Sequence, residues 1–81
     1  MRLDKFLKVS RLIKRRTVAH DAATGGRVMI NCKVAKPGAE VKPGDEIEIR
    51  LGDRVSRYEI LSISEHAAKA DAADMYRLLT P

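Results

Sequence analysis

Apolar and polar positions along the chain change period twice. In residues 2–9 ("RLDKFLKV"), Leu3, Phe6 and Leu7 recur at i, i+3 and i+4, one stripe of an α-helix. Arg2, Lys5 and Lys8 project to the other side, so the predicted helix has an apolar half and a basic half. Ser10 to Arg16 ("SRLIKRR") lose the stripe and read as a turn. Thr17 is placed to cap a second helix over "TVAHDAATGG", with Asp21 near its positive end. Val18, Ala19, Ala22 and Ala23 supply a small-residue packing face, and Gly25–Gly26 end the helix through a left-handed residue.

From Arg27 the period is two. "RVMIN" sets Val28 and Ile30 on one face, and "KVAK" resumes after a tight turn at Asn31–Cys32. "KPGAEVKPGDEIEIRL" holds two Pro–Gly pairs, each suited to a type II turn. Ile47, Ile49 and Leu51 then alternate with Glu46, Glu48 and Arg50, as in a half-buried strand. Gly52–Asp53 fits a two-residue hairpin turn, and "RYEILSIS" returns as the partner strand. That strand changes parity between Ile60 and Leu61, which predicts a bulge or burial on both sides. The tail "HAAKADAADMYRLL" is helix-prone up to Met75, while residues 76–79 fit either a helix or a short strand. The elements predict an α+β fold: a small single domain over 1–81, two N-terminal helices packed on a small mostly antiparallel sheet, and a short C-terminal helical segment.

Composition narrows the class. Eighty-one residues make one domain, and Met1 leading directly into the pattern is expected of a complete small protein. The single cysteine, Cys32, permits no intrachain disulfide and fits a reducing cytoplasm. No apolar run is long enough to span a membrane, and the start lacks the apolar core of a signal peptide. The net charge of +5 is unevenly spread. Residues 1–40 carry ten Lys/Arg against Asp4, Asp21 and Glu40, a balance of +7; residues 41–81 carry six against eight acids, a balance of −2. Seven of the cations fall in the first sixteen positions. One basic face against a polyanion is the natural reading. With only Phe6, Tyr58 and Tyr76 aromatic, phosphate and shape are favoured over base stacking.

Catalytic chemistry finds little support. His20 and His66 are far apart, and neither belongs to a Cys/His cluster of metal-ligand spacing, so no metal, cofactor or catalytic residue is expected. Glu46 and Glu48 beside Asp45 read as the solvent side of a strand, and Cys32 beside Lys33 reads as a turn residue. Gly25–Gly26 is not followed by a phosphate-loop pattern. A DNA-reading helix–turn–helix is disfavoured too. The connection is too long, and "TVAHDAAT" has hardly a side chain able to reach a base edge.

The order of motifs is more specific. "RLDKFL" opens, "KRRTVAHDAATGGRVMIN" follows and "VKPGDEIEI" closes, which resembles the S4 RNA-binding domain (the alpha-L motif, named after a small-subunit ribosomal protein) over a core of residues 2–50. With "MRLDKFLKVSRLIKRRT" at the start and "ADMYRLL" at the end, nearly the whole chain is similar to the free-standing RqcP family of bacterial ribosome quality control, also described as similar to heat-shock protein fifteen. Cys32 departs from the glycine common in that family after the asparagine, which leaves the turn geometry open.

Composition points to a monomer off the ribosome in the cytoplasm, and the resemblance implies a ribosome-associated protein that is not an enzyme. Its partners would be large-subunit ribosomal RNA, P-site peptidyl-tRNA on obstructed large subunits, and an RqcH-type factor that adds non-templated alanines to stalled chains. Recycling of blocked subunits without tailing, as for heat-shock protein fifteen, is the alternative, and a targeting module for a separate enzyme is a rival of another class. The residues expected to meet phosphate are Arg2, Lys5, Lys8, Arg11, Lys14, Arg15 and Arg16, with Lys33 and Lys36 as outer contacts. Asp4, the odd acid among them, is expected to cap the first helix or orient a neighbouring arginine, and Thr17 to cap the second.

Overall fold

The computed structural model describes residues 1–64 and 69–79; His66 and the start of the alanine-rich tail lie outside the described residues. Helix α1 (Leu3–Val9) forms where the i, i+3, i+4 stripe predicts it, and Leu3, Phe6 and Leu7 are fully buried. Helix α2 (Arg16–Thr24) begins two residues earlier than a cap at Thr17 predicts. Its N-cap is Arg15, with no side-chain cap bond, so Thr17 lies inside the first turn rather than at the cap. Asp21 falls in the second half of α2, not near its positive end, where no acid stands. Ala19, Ala22 and Ala23 form the buried face, but Val18 is about half exposed, because the close α1–α2 contact admits only the alanine side.

The helix ends at Gly25–Gly26 as the glycines predict. Gly26 has a φ of +75°, the Gly26 amide donates to Ala23 O and the Arg27 amide to Ala22 O, the paired bonds of a Schellman motif.

Strands β1 (Val28–Ile30), β2 (Lys33–Val34), β3 (Glu46–Leu51), β4 (Arg54–Ile60) and β5 (Tyr76–Leu78) form one antiparallel sheet in the order β2-β1-β3-β4-β5. The β1–β2 turn places both Asn31 (φ 50°) and Cys32 (φ 69°) in the left-handed region, so the cysteine occupies a conformation better suited to glycine. Of the two Pro–Gly pairs, only Gly44 (φ 96°) is left-handed. The Pro37–Gly38 turn closes from the Ala39 amide to Lys36 O without a positive φ at Gly38, so it is not type II. Gly52 alone of its two-residue loop has a positive φ, the pattern of a type II′ hairpin.

The parity change resolves as a bulge just beyond β4. Ile60 is buried and pairs with Tyr76, while the amides of Leu61 and Ser62 both donate to Met75 O. Leu61 is exposed, so the segment is not buried on both sides. The tail forms a short helical segment, α3 (Lys69–Ala72) with a 3₁₀ turn to Met75, and then β5 rather than more helix.

Leu3, Phe6 and Leu7 meet Val28, Ile47, Ile49, Ile60 and Met75 in one core between the helices and the sheet. Ile13, in the connection where no stripe was visible, also buries itself there.

Candidate nucleic-acid interface

The basic side chains expected to meet phosphate come from three adjoining pieces of the fold. Arg2 precedes α1, Lys5 and Lys8 lie on it, Arg11 and Lys14 lie in the connection, and Arg15 and Arg16 begin α2. Arg2, Lys8, Arg11, Lys14, Arg15 and Arg16 are exposed, and Lys5 is half-buried.

Hydrogen bonds and burial fix the backbone that carries these cations. The Leu3 amide donates to Ala39 O (2.8 Å), Asp4's to Pro37 O (3.1 Å) and Val41's to Met1 O (2.9 Å), so the chain start lies along residues 37–41. The Met1 ammonium also pairs with Glu40 (2.9 Å). In the connection, Ile13 is buried and its amide donates to Leu7 O (3.1 Å), which pins the segment between Arg11 and Lys14 to the core. The basic bend is therefore anchored, not a loose arm.

One backbone conformation and one placement of charge on this surface run against helix stability. Arg11 has a φ of 64° just past the end of α1, a site that favours glycine. Arg15 and Arg16 stand at the positive end of the α2 dipole, whose first turn holds no acid. Cations and unpaired amides at one helix start together favour a phosphate group.

Asp4 is the acid within this surface, and it is buried. Its Oδ1 accepts hydrogen bonds from the Lys5 amide (2.8 Å), Arg2 Nε (3.2 Å) and Arg16 Nη2 (3.4 Å), and its Oδ2 accepts one from Arg2 Nη2 (3.3 Å). The anticipated cap is not seen, since the N-cap of α1 is Arg2 with no side-chain cap bond; Asp4 lies inside the first turn, where its carboxylate takes the Lys5 amide and touches two arginines. Beside it lies an open groove of about 290 Å³ lined by Arg16, Thr17, His20 and Asp21.

Lys33 and Lys36 are exposed on the edge strand and the turn after it, beside a second open groove of about 690 Å³. Gly38 joins this part to Arg2. A Cβ there would sit 3.8 Å from Arg2 Cζ, an ordinary contact, so the guanidinium lies near this turn without depending on a bare glycine.

The motif residues Asn31 and Asp45 meet in space, a contact their separate positions in the sequence do not reveal. Asn31 Nδ2 donates to Asp45 Oδ1 (3.1 Å), and the Lys42 and Glu46 amides donate to Asp45 Oδ2 (3.0 Å) and Asn31 Oδ1 (3.0 Å). The pair locks the β1–β2 turn to the start of β3. Asp45 is thereby a structural acid. Among the described residues, no three His, Cys, Asp or Glu side chains gather as a metal site.

Comparison with known proteins agrees with this geometry. The pattern of the S4 domain family matches residues 1–47. A protein of Listeria innocua named RQC P-site tRNA stabilizing factor is 53% identical over 98% of this chain and 86% of its own length. A Bacillus subtilis protein of the same name is 49% identical over 98% and 92%. Heat shock protein 15 of Vibrio cholerae, solved as a trimer, superposes with a TM-score of 0.88 at 34% identity over 96% of this chain and 80% of that one.

Proposed function

The chain belongs to the S4 domain family, and on that premise we propose that it binds large ribosomal subunits obstructed by peptidyl-tRNA during ribosome quality control. Its basic face contacts ribosomal RNA and P-site tRNA together, and with an RqcH-type factor it supports alanine tailing of the stalled chain. The name shared by the Listeria and Bacillus relatives, P-site tRNA stabilizing factor, supports the tRNA contact.

The observation that carries the reading is the placement of Arg2, Lys8, Arg11 and Lys14–Arg16 on adjoining, anchored elements. At 1.5 Å per residue, α1 separates Arg2 from Lys8 by about 9 Å along its axis. Such a surface has room for two backbone segments, one at each end. Lys33 and Lys36 extend it as outer contacts. The role is binding and not catalysis: a non-enzymatic holder of RNA needs only charge, shape and rigidity.

Sucrose-gradient fractionation of stalled cells tests the proposal. The protein should travel with free large subunits carrying tRNA, and its absence from them would overturn it. A cytoplasmic, ribosome-associated location follows. The protein is a monomer off the ribosome, its net charge of +5 opposing self-association; sedimentation equilibrium giving three times the chain mass would refute that.

The likeness to Vibrio heat shock protein 15 favours a second reading, recycling of blocked subunits without tailing. Deletion in cells that contain the tailing factor separates the two. Loss of alanine tails supports the first reading, and unchanged tails support the second.

A further inference from the structure

Total charge does not account for Asp4. A carboxylate amid phosphate-binding cations subtracts from their attraction, yet this one is only 3% exposed and reached by donors from two elements. Burying a charge is unfavourable unless hydrogen bonds replace its water, and here Arg2, Arg16 and the Lys5 amide do so.

The geometry is asymmetric. Arg2 gives Asp4 one edge of its guanidinium, Nε and Nη2, while Arg16 gives a single Nη2. Each guanidinium has five N–H donors, so both keep donors for a ligand. Both side chains remain about half exposed, 53% for Arg2 and 49% for Arg16, against 4% for Asp4. Two long side chains that would otherwise repel and wander are held at one spacing.

We propose that Asp4 is a positioning residue for RNA recognition: one buried carboxylate fixes Arg2 and Arg16, from the starts of two helices, in the arrangement that grips two phosphates of a folded RNA backbone. The inference rests on the RNA-binding reading and adds how that surface is ordered. Without the carboxylate, both arginines must be ordered at the moment of binding, which weakens the complex although the protein becomes more positive.

The sign of the effect makes the test sharp. Asp4→Asn raises the net charge by one and keeps an oxygen for the Lys5 amide. If Asp4 were only an unfavourable charge, the variant would bind RNA more tightly. Positioning instead requires roughly tenfold weaker binding, from ordering two flexible side chains late. It also requires a salt slope shallower by about one to two, as up to two phosphate contacts are lost.

Binding would be measured on large subunits carrying tRNA and, separately, on an isolated structured RNA hairpin, with thermal melting as the fold control. Equal or tighter binding by folded Asp4→Asn overturns the proposal. If Asp4→Asn fails to fold, Arg2→Lys and Arg16→Lys decide. They keep the charge but lose the planar fork, so several-fold weaker binding is expected and unchanged binding is fatal. In a background of Arg2→Ala with Arg16→Ala, Asp4→Asn should add almost nothing; a full further loss would show that it acts elsewhere. A wild-type protein that binds the hairpin but ignores tRNA-bearing subunits would sink the ribosomal role and leave the Asp4 comparison readable. Binding to neither RNA would sink both.

Discussion

The outer face of the sheet and the face around α1 and the bend after it are both rich in arginine, yet they dispose of its charge in opposite ways. On the sheet, Glu46 pairs with Arg57 (3.2 Å), Glu48 with Arg50 (3.4 Å) and Glu59 with Arg77. Alternation puts these side chains on the face turned from the core, and Glu59 and Arg77 are direct cross-strand partners. Each acid there is answered locally. On the helical face one acid, Asp4, stands among Arg2, Lys8, Arg11 and Lys14–Arg16, and it is buried beneath two of them. Arginine count therefore says little about where RNA docks. What matters is whether the charge is spent within the protein or left to face outward.

The largest expected effect comes from reversing charge on each face in turn. Lys14→Glu with Arg15→Glu and Arg16→Glu should reduce large-subunit association by roughly a hundredfold or more, since three favourable phosphate contacts become repulsive. Arg50→Glu with Arg57→Glu should leave co-sedimentation close to wild type. Equal losses from the two sets would erase the distinction between the faces.

Salt gives the next largest effect. If about six phosphates are neutralised, log affinity should fall against log salt with a slope of about −4 to −5. Arg57→Ala should not change that slope in a filter-binding titration, whereas Arg2→Ala or Arg16→Ala should make it shallower by about one.

Arg11 tests whether strain on the basic face is retained for binding. Its left-handed backbone costs about 1 kcal/mol relative to glycine. Arg11→Gly should raise the melting temperature by about 4–8 °C for a domain of this size, while weakening RNA binding several-fold. A variant that is more stable and binds as well as wild type would remove Arg11 from the interface.

The smallest effect is the matching change on the sheet. Cys32 is exposed and left-handed in the β1–β2 turn. Cys32→Gly should stabilise by about 0.5–1 kcal/mol in calorimetry, with RNA affinity unchanged. Together with Arg11→Gly it shows whether strain has the same meaning on both faces.

Some parts of this organisation are readable without coordinates. Leu3, Phe6 and Leu7 mark α1, Ile47 and Ile49 mark the buried side of β3, and Gly25–Gly26 mark the end of α2. Each depends on residues within a few positions of one another. Thr17 misleads because Ser or Thr before an alanine run is the usual cap signal, yet here Arg15 takes the cap geometry. Val18 misleads because hydrophobicity does not say which flank of a small-residue face meets its neighbour. Ile13 and β5 could not be placed for a related reason. Ile13 is buried by contacts made beyond its own segment, and Tyr76–Leu78 become a strand by pairing with Tyr58–Ile60.

The chain's order of apolar, charged and glycine positions settles the local periods, most turns and the concentration of cations near its start, because backbone geometry imposes repeats of 3.6 and 2 on neighbouring residues. The partners of Asp4, the meeting of Asn31 with Asp45, the pairing of β5 and the local neutralisation of the sheet arginines arise only when distant segments are folded together. A hydrogen bond or ion pair depends on separations of a few ångströms in space, and residues 12 or 14 positions apart acquire those separations only through packing of the core.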